Sequence, residues 1–227
     1  MLDSMMRRPR VRGWWLGIVL GIGLCGGGAV NAQQEAVLPP PQSVWEWLAR
    51  EHRLLHRYLA VVRQAAHDYR YKYQTPVLLM PIAMELFTGY VAPFHAMESE
   101  FLYPAIRSSL TAEEQAQLDL IDMDQHSESH TVQQWQEQLA HHQAGTPFEQ
   151  EAQTIDYLAQ LINRHLVLQE NRLFPALERL SAEEQAAILG QVAAYAQDAF
   201  GDDGRKRYEQ LMDYIEEQIS LVAKRIW

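Results

Sequence analysis

The residues of this chain able to bind a metal or move protons are nine histidines and a set of carboxylates, and they recur in order. Phe94 to Ile106 reads F-H-A-M-E-S-E-F-L-Y-P-A-I, and Arg164 to Leu177 reads R-H-L-V-L-Q-E-N-R-L-F-P-A-L. Each copy sets a histidine and then a carboxylate ahead of an aromatic-Pro-Ala. His95 and His165 are 70 residues apart, as are Glu100 and Glu170, and His56 and His126, whereas Pro104 and Pro175 are 71 apart. A repeat of this length is one supersecondary unit used twice. Here the unit reads as a helical hairpin with histidines on both arms.

A lone histidine on an apolar stripe is usually a hydrogen-bonded core residue. In this chain His52, His95 and His165 fall on the apolar stripes of three different helices. His126 and His130 sit four apart on a fourth helix, so their rings face the same way. They do not coincide with the Val132/Trp135/Leu139 stripe of that helix on an ideal wheel. Glu98 also interrupts an apolar stripe. Buried imidazoles and a buried carboxylate need partners, and a metal cluster inside a bundle supplies them all. The only cysteine, Cys25, lies in a segment expected to be removed, so the ligands are histidines and carboxylates. Imidazole suits Fe or Zn, carboxylates shift the balance toward Fe or Mn, and bundle cores hold di-iron centres with this donor set. Glu98, three after His95, is the expected second-helix carboxylate; Glu100 is turned about 140° from His95 on an ideal wheel. Glu170 follows His165 by five and is the fourth-helix candidate. His56 reads as a spare ligand or a partner behind the ligands, and His67, His141 and His142 as surface residues.

The positioning elements are all helical. Trp45, Leu48, His52, Leu55, Leu59 and Val62 recur at three and four residues, predicting a helix from Val44 to about Arg70. Thr75-Pro76 opens a second, running to about Ser108 with bends at Pro81 and Pro93. Thr111 with Glu114 forms a capping box for a third, to about His142. Pro147 starts a fourth, with Ile155, Leu158, Ile162, His165, Gln169 and Leu173 on one face. Ser181 with Glu184 caps a fifth, ending near Phe200, and Gly201-Asp202-Asp203-Gly204 separates it from a last amphipathic helix. No strand alternation occurs. The expected fold is all-α: an up-down four-helix bundle over 44–180 built from two helical hairpins, with a C-terminal helical extension, 181–227, packed on it.

Ahead of the bundle, Arg7, Arg8, Arg10 and Arg12 precede an apolar run from Trp14 to Leu24 and a small-x-small site at Val30-Asn31-Ala32. This is the pattern of a cleaved signal peptide, residues 1–32, and it predicts a periplasmic or secreted protein. The run is shorter than the ~20 apolar residues that span a bilayer, so a membrane is involved only if the signal stays uncleaved. Residues 33–43 are a Pro-rich linker. With a net charge of −10, the chain is a poor partner for nucleic acid or an anionic membrane surface. There is no phosphate-binding glycine loop and no G-x-S-x-G nucleophile elbow.

The run E-H-R-L-L-H-R-Y-L, the His126/His130 pair and the two His–acid–aromatic-Pro segments resemble the hemerythrin-like, HHE cation-binding domains. The ending F-G-D-D-G-R-K-R-Y-E-Q-L is similar to the tail of some bacterial members. The resemblance spans roughly 44–225. It implies a four-helix bundle with a non-heme di-iron site that binds O₂ or NO, or that senses or stores iron. By position, it makes His52 the first-helix ligand, His126 and His130 the third-helix pair, and His165 the fourth-helix ligand. The family's His-x-x-x-Glu spacing is not kept: four residues after His95 stands Ser99, and four after His165 stands Gln169. Two other readings stay open, a di-iron oxidase or peroxidase and a metal-free helical interaction module.

Overall fold

Apolar spacing of three and four residues produces helices throughout the chain. The computed structural model describes residues 40–72, 79–142, 148–201 and 204–224, and these form six helical rods with no strand among them. They are α1 (Val44–Lys72), α2 (79–107), α3 (Ala112–His141), α4 (149–177), α5 (Ala182–Phe200) and α6 (Gly204–Lys224). The expected leader and most of the linker lie outside the described residues, as do Thr75-Pro76 and Pro147. Helices α1 to α4 make the bundle: α3 packs along α4, α1 along α4, and α2 against α1 and α3. The predicted all-α bundle is what forms.

Both expected capping boxes are present. Thr111 accepts from the Glu114 N–H, and Glu114 returns a carboxylate to the Thr111 N–H; Ser181 and Glu184 do the same for α5. Each box follows a tight connection, 108–111 or 178–181, so the two hairpins of the repeat end alike. Helix α5 buries little, chiefly Ile188 and Val192. Helix α6 buries Tyr208, Met212 and Ile215 and lies against α1 and α2. Its approach to α2 depends on Gly89, where a Cβ would come within 2.8 Å of the Tyr208 ring. Arg205 of α6 bonds the buried Glu51 of α1 at 2.8 Å, and Tyr90 donates to the same carboxylate.

Helices α2 and α4 are not uniform. Helix α2 contains π turns at Phe87–Val91 and Glu98–Leu102, and α4 contains one at Gln169–Leu173. Each ends two residues before a proline, at Val91, Leu102 and Leu173 ahead of Pro93, Pro104 and Pro175. Proline has no N–H to give and its ring collides with the carbonyl four residues back. A wider turn removes the collision, and the preceding residue bonds five back instead: Tyr103 N–H to Glu98 C=O, and Phe174 N–H to Gln169 C=O. Where the sequence predicts a bend at Pro93, the helix has such a turn. The extra residue changes which side chains share a face, and two of the three π turns lie in the middle of the site.

Candidate metal centre

Four of the expected residues converge in the interior. His165 and Glu98 are wholly buried, His52 is 2% exposed and His95 7%. They are joined by Glu128 of α3, also wholly buried, and by Gln169. His165 Nδ1 lies 2.6 Å from Glu128 Oε1, and His95 Nδ1 3.2 Å from Glu128 Oε2. The two rings stand edge to face with centroids 4.7 Å apart. His52 Nδ1 bonds Glu170 Oε1 at 2.9 Å, and His56, on the outside, reaches the same oxygen at 3.1 Å. Phe174 and Phe94 flank the His52 ring, at 4.9 and 6.2 Å between centroids.

The far nitrogens are the informative atoms. The Nε2 atoms of His52, His95 and His165 are buried and have no hydrogen-bond partner, and neither has Gln169 Oε1. Buried polar atoms without partners are rare and costly. Among the described residues, ligand atoms of His95, Glu128 and His165 all lie within 4.8 Å of one another. The His165 ring gives Nδ1 to Glu128 and leaves Nε2 unpartnered, as metal-bound histidines do, and Glu128 Oε2 has no hydrogen-bond partner either. The residues present therefore fit a transition-metal ion.

Glu98 has a different environment. Gln169 Nε2 donates to its Oε1 at 2.7 Å, and Gln125 Nε2 to its Oε2 at 3.0 Å. The Tyr103 hydroxyl donates to Oε2 at 3.2 Å while accepting from both amides. Ser99 fixes Gln125 by donating to its Oε1 at 3.1 Å. Glu98 and Tyr103 are five apart, and it is the π turn between them that lets them meet. Glu98 and Gln169 are each the first residue of a π turn and are 71 apart, the same offset as the two prolines. The structure thus pairs Glu98 with Gln169 in the repeat, and Tyr103 with Phe174.

Charge follows burial. Burial pulls His52 down to about 4, against the opposing bond from Glu170. Burial, then the neighbouring His165 and His52, hold His95 well below the usual imidazole range. Burial pushes Glu98 up to about 8, past the lowering effect of His165, Gln169 and Tyr103. Burial raises Glu128 too, with its bond to His165 pulling back; His165 is raised because Glu128 outweighs its own burial. Glu170 is only half-buried, and its bonds to His52 and His56 outweigh burial and lower it.

The structure does not bring His126 and His130 into this cluster. Both are exposed on the outer face of α3. The buried face of α3 is Leu118, Ile121, Gln125, Glu128, Val132 and Trp135, at steps of three and four, and His126 is one position past it. Glu128 is the residue that sequence reasoning missed. The signal was there: the stripe continued back from Trp135 meets a carboxylate, the pattern that singled out Glu98. Glu100 is exposed, as are His67 and His141. His142, read as a surface residue, has a buried side chain paired with Glu151 at 2.7 Å. His126 still has a place near the site. A cleft of about 320 Å³ between α2 and α3 is lined by residues that include Ala92, His95, Ala96, Ser99, Gln125 and His126.

The fold and this buried His/Glu cluster define a metal-binding helical bundle. The chain matches the Hemerythrin HHE cation binding domain over residues 43–177, more than half its length, and belongs to that family. No curated protein and no solved structure gives a match.

Proposed function

We propose that this protein holds iron in the bundle interior and binds O₂ or NO there, as an exported hemerythrin-like protein. The observation that carries the reading is the group of His95, Glu128 and His165 ligand atoms within 4.8 Å of one another, with the buried Nε2 atoms of His52, His95 and His165 unpartnered. His95, His165 and Glu128 would hold the ion, and His52 is close enough for its charge to be felt at His95. Mixed imidazole and carboxylate donors favour iron over zinc. A bound ferrous ion would supply reversible ligation or reduction of a diatomic molecule. The chain's own part is to orient the His165 ring through Glu128 and the His52 ring through Glu170, and to pack Phe94 and Phe174 against His52.

Metal analysis of alanine variants tests this. His95→Ala and His165→Ala should each lose most of the bound iron while the helical CD spectrum is retained. His126→Ala and His130→Ala should keep it. Equal iron in all four variants would remove the assignment.

A further inference from the structure

We infer that the centre holds a single ion, in a site of two histidines and one carboxylate, and that Glu98 is not a ligand but the middle of a closed hydrogen-bonded knot standing where a second ion would lie. The inference rests on the metal-binding reading above and concerns how many ions the site takes.

Two equivalent half-sites would give each hairpin a histidine and a π-turn carboxylate. The first hairpin has His95 with Glu98; the second has His165 with Gln169. The amide changes the role of the position. Gln169 donates to Glu98 at 2.7 Å and to Tyr103 at 2.6 Å, and Gln125 donates to the same two groups. Both oxygens of Glu98 are therefore occupied by donors from three side chains. A cation at Glu98 would have to displace the amide N–H groups that face the same oxygens, leaving them the Tyr103 hydroxyl as acceptor.

Helix α3 completes the asymmetry. A second ion needs its own donors, and α3 turns Gln125 and Glu128 inward while His126 and His130 face solvent. Glu128 is already shared by His95 and His165. Those three residues are the group whose ligand atoms lie within 4.8 Å of one another; neither Glu98 nor His52 belongs to it. Two histidines and a carboxylate around one ion leave open positions for an exogenous ligand, the donor set of mononuclear non-heme iron sites. The free Nε2 of His52 is then available to a molecule bound at the open side.

The test is iron per chain after anaerobic loading of the full chain with ferrous iron and removal of excess, together with EPR of the oxidised protein. The expected result is one iron per chain and an uncoupled high-spin ferric signal that accounts for all of the iron. Glu98→Gln should retain one iron, and Glu128→Gln should lose it, with melting curves showing that both variants fold. Two irons per chain with an EPR-silent, coupled ferric pair would overturn the single-ion inference and leave the metal-binding reading standing. Loss of iron in Glu98→Gln, with Glu128→Gln still loaded, would overturn it as well. No bound iron in the wild type would remove both.

Discussion

Glu98 accepts from three side-chain donors in a buried setting, and this sets how stability responds to pH. Its folded-state pKa, about 8, lies above the 4.5 of an ordinary glutamate. A raised carboxylate favours the fold while the folded state keeps a proton that the unfolded state has lost. Its contribution is complete below about 4.5 and disappears as pH rises toward about 8. The buried histidines act in the opposite direction. His52, depressed to about 4, contributes stability above the unfolded value of 6.5 and loses it as pH falls through that window. Comparing wild type with Glu98→Gln cancels the histidine part. The amide can be accommodated if Gln125 flips and Ser99 turns from donor to acceptor, since both already face each other. Denaturant unfolding of the metal-free proteins should show the variant gaining on the wild type between pH 5 and 8, at up to about 1.4 kcal/mol per pH unit. A constant difference across that range would mean that Glu98 is ionised throughout. Most of this site could be read from the chain. His52, His95, His165 and Glu98 stand out because each is polar on an apolar stripe. Glu128 obeys the same rule but was hidden by the nearby His126/His130 pair, whose spacing is just as suggestive and whose phase on the helix is one residue off.

At the scale of elements, the capping boxes and helix limits follow directly from residue types, whereas the π turns do not. Periodicity assumes a constant turn, and Pro104 and Pro175 mark where that assumption fails without saying how the backbone responds. Once the wider turn is in place, residues five apart meet, as Glu98 and Tyr103 do. That is why Glu98 aligns with Gln169 and not with a residue 70 away. The same helix forms one wall of the cleft that His95 helps to line, and the lining is small at Ala92 and Ala96. A bulky side chain there should obstruct passage without touching the donors. Ala96→Trp is expected to slow NO uptake by the ferrous protein, measured by stopped flow, by about tenfold, a change of about 1.4 kcal/mol in barrier. Iron content at equilibrium should be unchanged. An unchanged uptake rate would show that small ligands reach His95 by another path.

Across the whole molecule, α6 closes the outer side of the bundle. Arg205 neutralises Glu51, Arg57 bonds Asp213 and Glu216, and Arg207 bonds Glu85, so one helix is tied to both α1 and α2. The exposed pairs add little individually; the buried Glu51 is where the attachment matters, because removing its cation would strand a charge. No helix among the described residues is long and apolar enough to cross a membrane. We propose that residues 1–32 are a cleaved signal, which would carry the protein out of the cytoplasm. Intact mass spectrometry of the protein recovered from the periplasm should give an N-terminus at Gln33. Recovery of a chain starting at Met1 in the membrane fraction would favour the uncleaved anchor. The account as a whole depends on a metal in the interior, between α2, α3 and α4. Anomalous diffraction at the iron edge, from crystals of the iron-loaded protein, tests that directly. The expected result is a peak bonded to one ring nitrogen each of His95 and His165 and to a Glu128 oxygen. A peak on the outer face at His126 and His130, or no peak in the interior, would contradict it.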